Sequence, residues 1–248
     1  MNKILMVMAP FALCASLSAQ ADFIGGSVEI AYWNAGTSGI STFDKTRLDF
    51  EDDLNLDSDS FFDVAATLEH PVPVLPNVRL KYVNMEQIED GKIPGNSDSD
   101  KFDDVATGKV ETTLDLSHID LILYYEILDN WVSVDVGLDV KKFDGKLRIF
   151  NDKTDDESNI DIDEVLPLGY LSAEVALPLT DLSFGVEVSG ISYSDNAISD
   201  AKVRIRQGFS LAFIELGYRQ MAIKVDDIDD LDVDIDLSGV YLSTGIDF

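Results

Sequence analysis

The sequence predicts an all-β fold, a transmembrane antiparallel up-and-down β-barrel. One segment after another alternates apolar and polar residues with period two, which is the pattern of β-strands. After the N-terminal segment no run of about 18 apolar residues follows, so no transmembrane helix is expected. The connections alternate between short turns and long polar loops, which is typical of outer-membrane barrels.

Composition excludes several classes of protein. The chain has 248 residues, with 47 Asp+Glu against 18 Lys+Arg and a formal net charge of −29. A nucleic-acid partner needs a basic face, so no nucleic-acid binding is expected. Hydrophobic residues make up 46% of the chain, which excludes a disordered acidic tail. The single cysteine, Cys14, excludes a disulfide framework and a cysteine-based zinc site.

The N-terminus has the features of a secretory signal peptide. Lys3 gives a short positive region, residues 4–17 are mostly apolar, and residues 19–21 are Ala-Gln-Ala, a small-x-small cleavage pattern. We therefore expect residues 1–21 to be removed and residues 22–248 to form one barrel domain. The expected location is the bacterial outer membrane.

Ten strands are predicted in the mature chain. The clearest is residues 131–141, where Val, Val, Val, Leu and Val alternate with polar residues. The connection at 208–211 has no clear turn signal, which leaves an eight-stranded barrel as an alternative. The predicted strands are roughly 23–34, 60–70, 78–88, 110–127, 131–143, 164–177, 181–194, 199–208, 212–225 and 231–248. The expected short, periplasmic turns are 71–77, 129–130 and 178–181, and the long acidic outer loops are 35–59, 89–109 and 144–163.

Two predicted strands change the parity of their apolar residues. In 110–127 the change falls between Leu116 and Ile119, and in 231–248 it falls between Leu237 and Val240. A one-residue slip turns every side chain to the other face, so each strand needs a bulge or must leave the lipid at that point. Gly239 is a suitable position for the second change.

Aromatic residues near strand ends indicate membrane-interface girdles. These residues are Tyr32, Trp33, Tyr124, Tyr125 and Trp131.

Five segments resemble known outer-membrane proteins. The last strand, which contains Ile246 and ends at Phe248, is similar to the signal read by the barrel assembly machinery. The motif DFIGGSVEIAYWN at 22–34 resembles the opening of a proteobacterial outer-membrane family named for its Gly-Gly motif, and LDLSH at 114–118, LYYEILDNW at 123–131 and LGYR at 216–219 also resemble that family. The resemblance implies an outer-membrane β-barrel and supplies no catalytic residues.

Charged side chains on the polar strand faces are expected to fill the lumen. Ten strands enclose little more than their own side chains, and unpaired charges there would be costly, so cross-lumen salt bridges are predicted. The predicted lumen network is Glu29, Glu187, Lys202, Arg204, Arg206, Glu215 and Arg219.

The leading functional hypothesis is a non-enzymatic outer-membrane barrel with an occluded lumen and a structural or surface-interaction role. The alternatives are a narrow diffusion channel for small solutes or cations and a surface hydrolase resembling the omptins. The hydrolase would need His118 with Asp115 or Asp120 at the outer rim, whereas we expect His118 within the membrane zone. His70 is expected in a short turn.

The expected partners are outer-membrane lipid, lipopolysaccharide and, during biogenesis, the assembly machinery, and the protein is expected to be a monomer. No cofactor is expected. The acidic run 226–236 fails as an EF-hand, because Leu237 stands where Gly is needed and Ser243 where Glu is needed.

Overall fold

The protein is built of antiparallel strands. The computed structural model describes residues 24–43, 46–72, 74–93, 108–151, 154–228 and 231–248, so the predicted signal peptide lies outside the described residues. Within these residues, no helix has the length and apolar character needed to cross a bilayer. The strands are, in chain order, β1 (Gly25–Phe43), β2 (Thr46–Asp49), β3 (Ser58–Glu69), β4 (Asn77–Asn84), β5 (Glu86–Ile93), β6 (Gly108–Asp115), β7 (His118–Asp129), β8 (Val132–Phe143), β9 (Gly145–Asn151), β10 (Asp156–Ile162), β11 (Val165–Ala176), β12 (Leu182–Tyr193), β13 (Asn196–Phe209), β14 (Ala212–Ile228) and β15 (Leu231–Asp247).

Ten of these strands close into a barrel. Their order is β1, β3, β4, β7, β8, β11, β12, β13, β14 and β15, each antiparallel to its neighbour, and β15 pairs back onto β1. The closing seam runs from the Ser27–Asp247 pair to the Phe43–Leu231 pair. Closure removes every free sheet edge within the barrel. The ten-stranded prediction is confirmed, and the eight-stranded alternative is wrong.

A second sheet of four strands, ordered β10-β9-β6-β5, continues from two of the barrel hairpins. The predicted strands 78–88 and 110–127 are wrong as single elements, because each breaks where this sheet begins. The two breaks are hydrogen-bonded to each other: the Met85 amide donates to Ser117 Oγ at 3.0 Å, and the Leu116 amide donates to the Met85 carbonyl at 2.8 Å. The parity change predicted between Leu116 and Ile119 therefore marks a boundary between two strands.

The barrel has two different ends. Gly26 and Phe248 exchange backbone hydrogen bonds of 2.9 Å at what we call the terminal end. The predicted short turns also lie there, and the uncertain connection at 208–211 is a tight turn at Ser210 and Leu211. We call the opposite end, which carries the second sheet, the distal end. The loop-length asymmetry predicted from sequence holds for the long connections, although the turn at Ser194 shows that one distal connection is also short.

A belt of apolar side chains surrounds the barrel wall. Every barrel strand contributes to it, with one representative residue per strand exposed by 37% to 55%. Apolar surface of this extent would be costly in water and is expected against lipid. The belt includes Ile30, Val64, Leu80, Leu121, Leu138, Leu171, Val186, Val203, Leu216 and Leu242.

The parity change in the last strand needs no bulge. β15 pairs with β1 without a register shift on either side of Gly239. Leu242 faces outward at 53% exposure, whereas Leu237 and Ile235 face inward at 1% and 4%. The strand keeps a regular pleat along its whole length. The surroundings of its inward face change instead, because its distal half lines an apolar interior. The sequence allowed two explanations for this strand. The strand leaves the lipid zone, as one explanation required, and the predicted bulge at Gly239 is wrong.

The prediction of aromatic girdles is correct for only part of the set. Tyr32, Tyr125 and Trp131 are 55%, 44% and 66% exposed on the outer wall. Trp33 and Tyr124 are 1% and 5% exposed and point inward. Adjacent strand residues point to opposite faces, so only one member of each aromatic pair can reach the interface.

Two matched serines test the orientation of the barrel. Ser194 and Ser210 both lie in exposed two-residue turns with positive φ, of 56° and 62°, but at opposite ends. In a chain whose native Cys14 lies within the predicted signal peptide, we expect Ser194→Cys to react with a membrane-impermeant maleimide on intact cells. Ser210→Cys should react only after permeabilisation. The reverse pattern would invert the topology.

Candidate functional site

The lumen contains two stacked clusters of charged side chains. The inward-facing residues of β13, taken from the terminal end, are Arg206, Arg204, Lys202, Asp200 and Ile198. These residues share one face because alternate side chains of a strand point to the same side. Along the barrel axis the series passes from charged residues to the apolar Ile198. Other strands follow the same order, so the interior is layered along the barrel axis.

The layer nearer the terminal end is centred on Glu187, and we call it the Glu187 cluster. Glu187 Oε2 lies 2.9 Å from Arg79 Nη1 and 3.6 Å from Arg204 Nη1, and Glu187 Oε1 lies 3.8 Å from Lys202 Nζ. The Tyr170 hydroxyl donates to Glu187 at 3.3 Å. The same cations reach further carboxylates, so the cluster spans the lumen. Its remaining members are Glu29, Glu174 and Glu215.

The next layer is centred on Asp120 and Asp200, and we call it the Asp200 cluster. Arg219 donates to Asp200 at 2.9 and 2.6 Å and to Asp63 at 3.4 Å. Lys141 Nζ is 2.6 Å from Asp120 Oδ1, its neighbour across the β7–β8 ladder. All of these side chains are at most 6% exposed. Buried charges at this depth are tolerated only when paired, and the geometry supplies the pairs. The cluster also contains Lys81 and Asp139.

The residues predicted for the lumen network occupy three places. Those in the Glu187 cluster are Glu29, Glu187, Lys202, Arg204 and Glu215. Arg219 belongs to the Asp200 cluster. Arg206 pairs with Asp247 at 2.5 Å near the terminal rim, where its side chain is 26% exposed, and so lies outside both clusters.

Sequence reasoning did not assign Asp120, Lys141 and Asp200 to the network. Asp200 shares the inward parity of Lys202, which could have identified it. The Asp120–Lys141 pair depends on the register of β7 and β8, which alternation alone does not determine.

An apolar core closes the distal half of the interior. Phe50, Leu54 and Leu56 from the β2–β3 connection are at most 1% exposed and insert among inward-facing barrel side chains. Trp33 packs against Phe61 with ring centroids 5.7 Å apart. The predicted outer loop 35–59 is therefore not wholly polar. The core also includes Val83, Met85, Leu114, Ile149, Ile198, Met221 and Leu237.

The two layers of charge and the core are in contact. The Arg219 guanidinium lies 4.5 Å above the Trp33 ring, a cation–π arrangement within the interior. Trp33 Nε1 in turn donates to the Gly239 carbonyl at 3.3 Å. Charged and apolar layers thus form one continuous filling of the barrel.

Neither histidine lies at an exposed distal rim. His118 is 2% exposed, its Nδ1 lies 2.8 Å from the Leu116 carbonyl oxygen, and its ring packs on Phe143 at 5.0 Å. His118 is the first residue of β7, so it lies nearer the distal end of the barrel than the sequence predicted. His70 lies in the terminal-end turn, 3.1 Å from the Pro76 carbonyl oxygen.

The terminal end holds an open cavity of about 610 Å³. Its wall reaches the turn residues Thr180 and Asp181 and the final residue Phe248. The Glu187 cluster forms its inner limit. Phe248 is 47% exposed, beside Gly26, and Ile246 pairs with Val28 on the closing seam. The role of Ile246 and Phe248 as an assembly signal stays a prediction.

No metal centre is found among the residues that the structure describes, since no group of three or more His, Cys, Asp or Glu side chains is placed to hold an ion.

Comparison with solved structures identifies the fold. The chain is similar to the outer membrane protease OmpT from Escherichia coli, with 9% identity, 92% of this chain and 97% of that chain covered, and a TM-score of 0.51. The fold is that of a bacterial outer-membrane β-barrel. An outer membrane channel from Pseudomonas putida F1 is similar with 10% identity, coverage of 90% and 96%, and a TM-score of 0.42. The Ail protein of Yersinia pestis is similar with 12% identity, coverage of 90% and 99%, and a TM-score of 0.33. No family model and no curated protein matches the sequence.

The Glu187 cluster predicts measurable coupling between its members. We expect Arg204→Ala and Glu187→Ala each to lower the free energy of unfolding by about 1.5–3 kcal/mol, because each removes charge-assisted hydrogen bonds. A double-mutant cycle should give a coupling energy of about 0.5–3 kcal/mol. Arg148 lies on the second sheet, far from the cluster. The effects of Arg148→Ala and Glu187→Ala on the free energy of unfolding should therefore be additive. Additivity of Arg204→Ala with Glu187→Ala would show that the two residues are independently hydrated.

Proposed function

We propose that this outer-membrane barrel is a closed, non-conducting protein with a structural or surface-interaction role. The supporting observation is the filled interior, in which Arg219, Lys141 and Trp33 are at most 1% exposed. A transport route needs an uninterrupted wet path, whereas a plug needs paired charges and packed apolar side chains. The lumen has the second arrangement, because two charged clusters and an apolar core follow one another along its axis.

The second sheet is the surface that we propose for interaction. Arg148 links three strands of this sheet through its side chain. It donates to Glu111 on β6 and to Glu157 on β10, at 3.2 Å each. The hydrogen bond from Arg148 lowers the pKa of the exposed Glu157 carboxyl, so that group stays anionic. This charged sheet lies beyond the lipid belt, where other molecules can reach it.

The resemblance to the Gly-Gly family supports the outer-membrane barrel part of this proposal. It rests on the opening motif, where Gly26 lies against the Phe248 ring: a Cβ at Gly26 would approach that ring to 3.0 Å. We infer membership of that family from this motif and the three internal motifs. A monomer in contact with outer-membrane lipid and lipopolysaccharide is part of this proposal.

Planar-bilayer recording of the refolded, unmodified protein tests whether the barrel is closed. The expected result is membrane insertion, shown by heat-modifiable mobility of the recovered protein, without steady current steps. Reproducible open-pore conductance would contradict the closed barrel and favour the narrow channel. Recordings with and without Ca²⁺ would show whether a divalent ion changes that result.

A further inference from the structure

The terminal-end cavity has an uneven balance of charge. Along the part of its wall that the structure describes there are nine side-chain carboxyl groups and four cationic side chains. All four cations already have anionic partners: Arg79, Lys202 and Arg204 lie in the Glu187 cluster, and Arg206 pairs with Asp247. The described wall therefore carries more carboxylates than cations, and each of its four cations is already paired with a carboxylate.

Three of these carboxylates occupy one side of the wall. Glu69, Glu126 and Asp135 form no salt bridge among the described residues, although the charge of Arg204 acts on Asp135. Glu126 on β7 and Asp135 on β8 are direct cross-strand partners, and the charge of Glu69 also acts on Glu126. Like charges placed directly opposite on neighbouring strands are destabilising. A bound cation would remove that cost.

Aromatic side chains border the same carboxylates. Tyr124 and Tyr170 both line the cavity, with ring centroids 6.0 Å apart. The Tyr124 hydroxyl is held by Glu69 at 2.7 Å, which fixes the ring beside the acidic wall. A Tyr ring attracts an ammonium group through its negative face. Carboxylates beside aromatic side chains are therefore suited to an organic ammonium ion.

We propose that this cavity binds a small organic cation carrying one or more ammonium groups. Its volume, about 610 Å³, is within the range of small-molecule sites. A metal ion fits less well, because the described residues offer no set of three acidic or histidine ligands at coordinating positions. The cavity opens at the terminal end, which the predicted topology places in the periplasm. This proposal goes beyond the closed barrel and does not depend on conductance.

Calorimetric titration of the refolded protein with spermidine tests the proposal. We expect saturable binding, and loss of at least about tenfold in affinity for the variant Glu126→Gln/Asp135→Asn. This variant should unfold at the same or a higher denaturant concentration, because a like-charge pair is removed. The matched control is Glu157→Gln/Asp161→Asn on the second sheet, which removes the same charge and should leave binding unchanged.

Three outcomes would overturn the proposal. The first is the absence of saturable binding, and the second is an equal loss of affinity in the control variant, which would indicate general attraction to an acidic protein. The third is complete competition by equimolar Mg²⁺, which would indicate a metal site instead. None of these results would bear on bilayer conductance, so the proposal and the closed barrel fail separately.

Discussion

Arg219→Ala is expected to lower the free energy of unfolding by about 3–5 kcal/mol, the typical cost of removing one partner from a buried ion pair. Arg219 is 1% exposed and contacts Asp200, Asp63 and the Trp33 ring. Its loss would leave two buried carboxylates short of a cation in the middle of the barrel. Urea titration of the refolded protein, followed by tryptophan fluorescence, measures the change.

Arg206→Ala is the matched control for that experiment. Arg206 also forms an arginine–carboxylate pair, but its partner Asp247 is 49% exposed at the terminal rim. Exposed pairs contribute little, so the expected cost is under about 1 kcal/mol. A double-mutant cycle of Arg219→Ala with Asp200→Ala should show strong coupling. Equal effects of Arg219→Ala and Arg206→Ala would mean that the interior is hydrated.

Trp33→Ala is expected to cost about 3–5 kcal/mol, as large-to-small changes in packed cores do. Trp33 is among the largest fully buried side chains and joins the apolar core to Arg219. Its removal would also leave the Gly239 carbonyl without the indole donor. Denaturant unfolding in detergent micelles measures the loss.

The second tryptophan of the chain gives the control. Trp131 is 66% exposed beside the turn between β7 and β8. Trp131→Ala should change stability by less than about 1 kcal/mol in micelles, because it leaves no internal cavity. A small effect of Trp33→Ala would contradict a packed distal core.

The membrane-spanning part of the fold was accessible from sequence because lipid imposes a simple rule. Outward positions must be apolar, so alternation identifies a strand and its two faces at once. The predicted strand 181–194 differs from β12 (Leu182–Tyr193) by one residue at each end. The charged parity of β13 likewise predicted that Lys202 and Arg204 enter the lumen.

The distal half of the barrel could not be predicted by the same rule, because its interior is apolar and its outer face is polar. There the apolar side chains face inward, as Leu237 does, while the polar positions of the same strand face outward. Phe50, Leu54 and Leu56 lie in an acidic segment that was predicted as an outer loop, although they share the even parity of Leu48 and are separated by polar residues. Their burial depends on contacts with distant strands, which only the closed barrel brings together.

Conductance after breaking the layers of the lumen separately and together tests most directly whether the lumen is closed. One variant carries Arg219→Ala with Asp200→Ala in the Asp200 cluster, and a second carries Trp33→Ala with Leu54→Ala in the apolar core. A third carries these four changes together with Arg204→Ala and Glu187→Ala in the Glu187 cluster. We predict that the unmodified protein and both two-site variants stay closed, and that the six-site variant conducts. Steady conductance in the unmodified protein, or full opening of the variant that lacks only Arg219 and Asp200, would contradict a lumen closed by three layers in series.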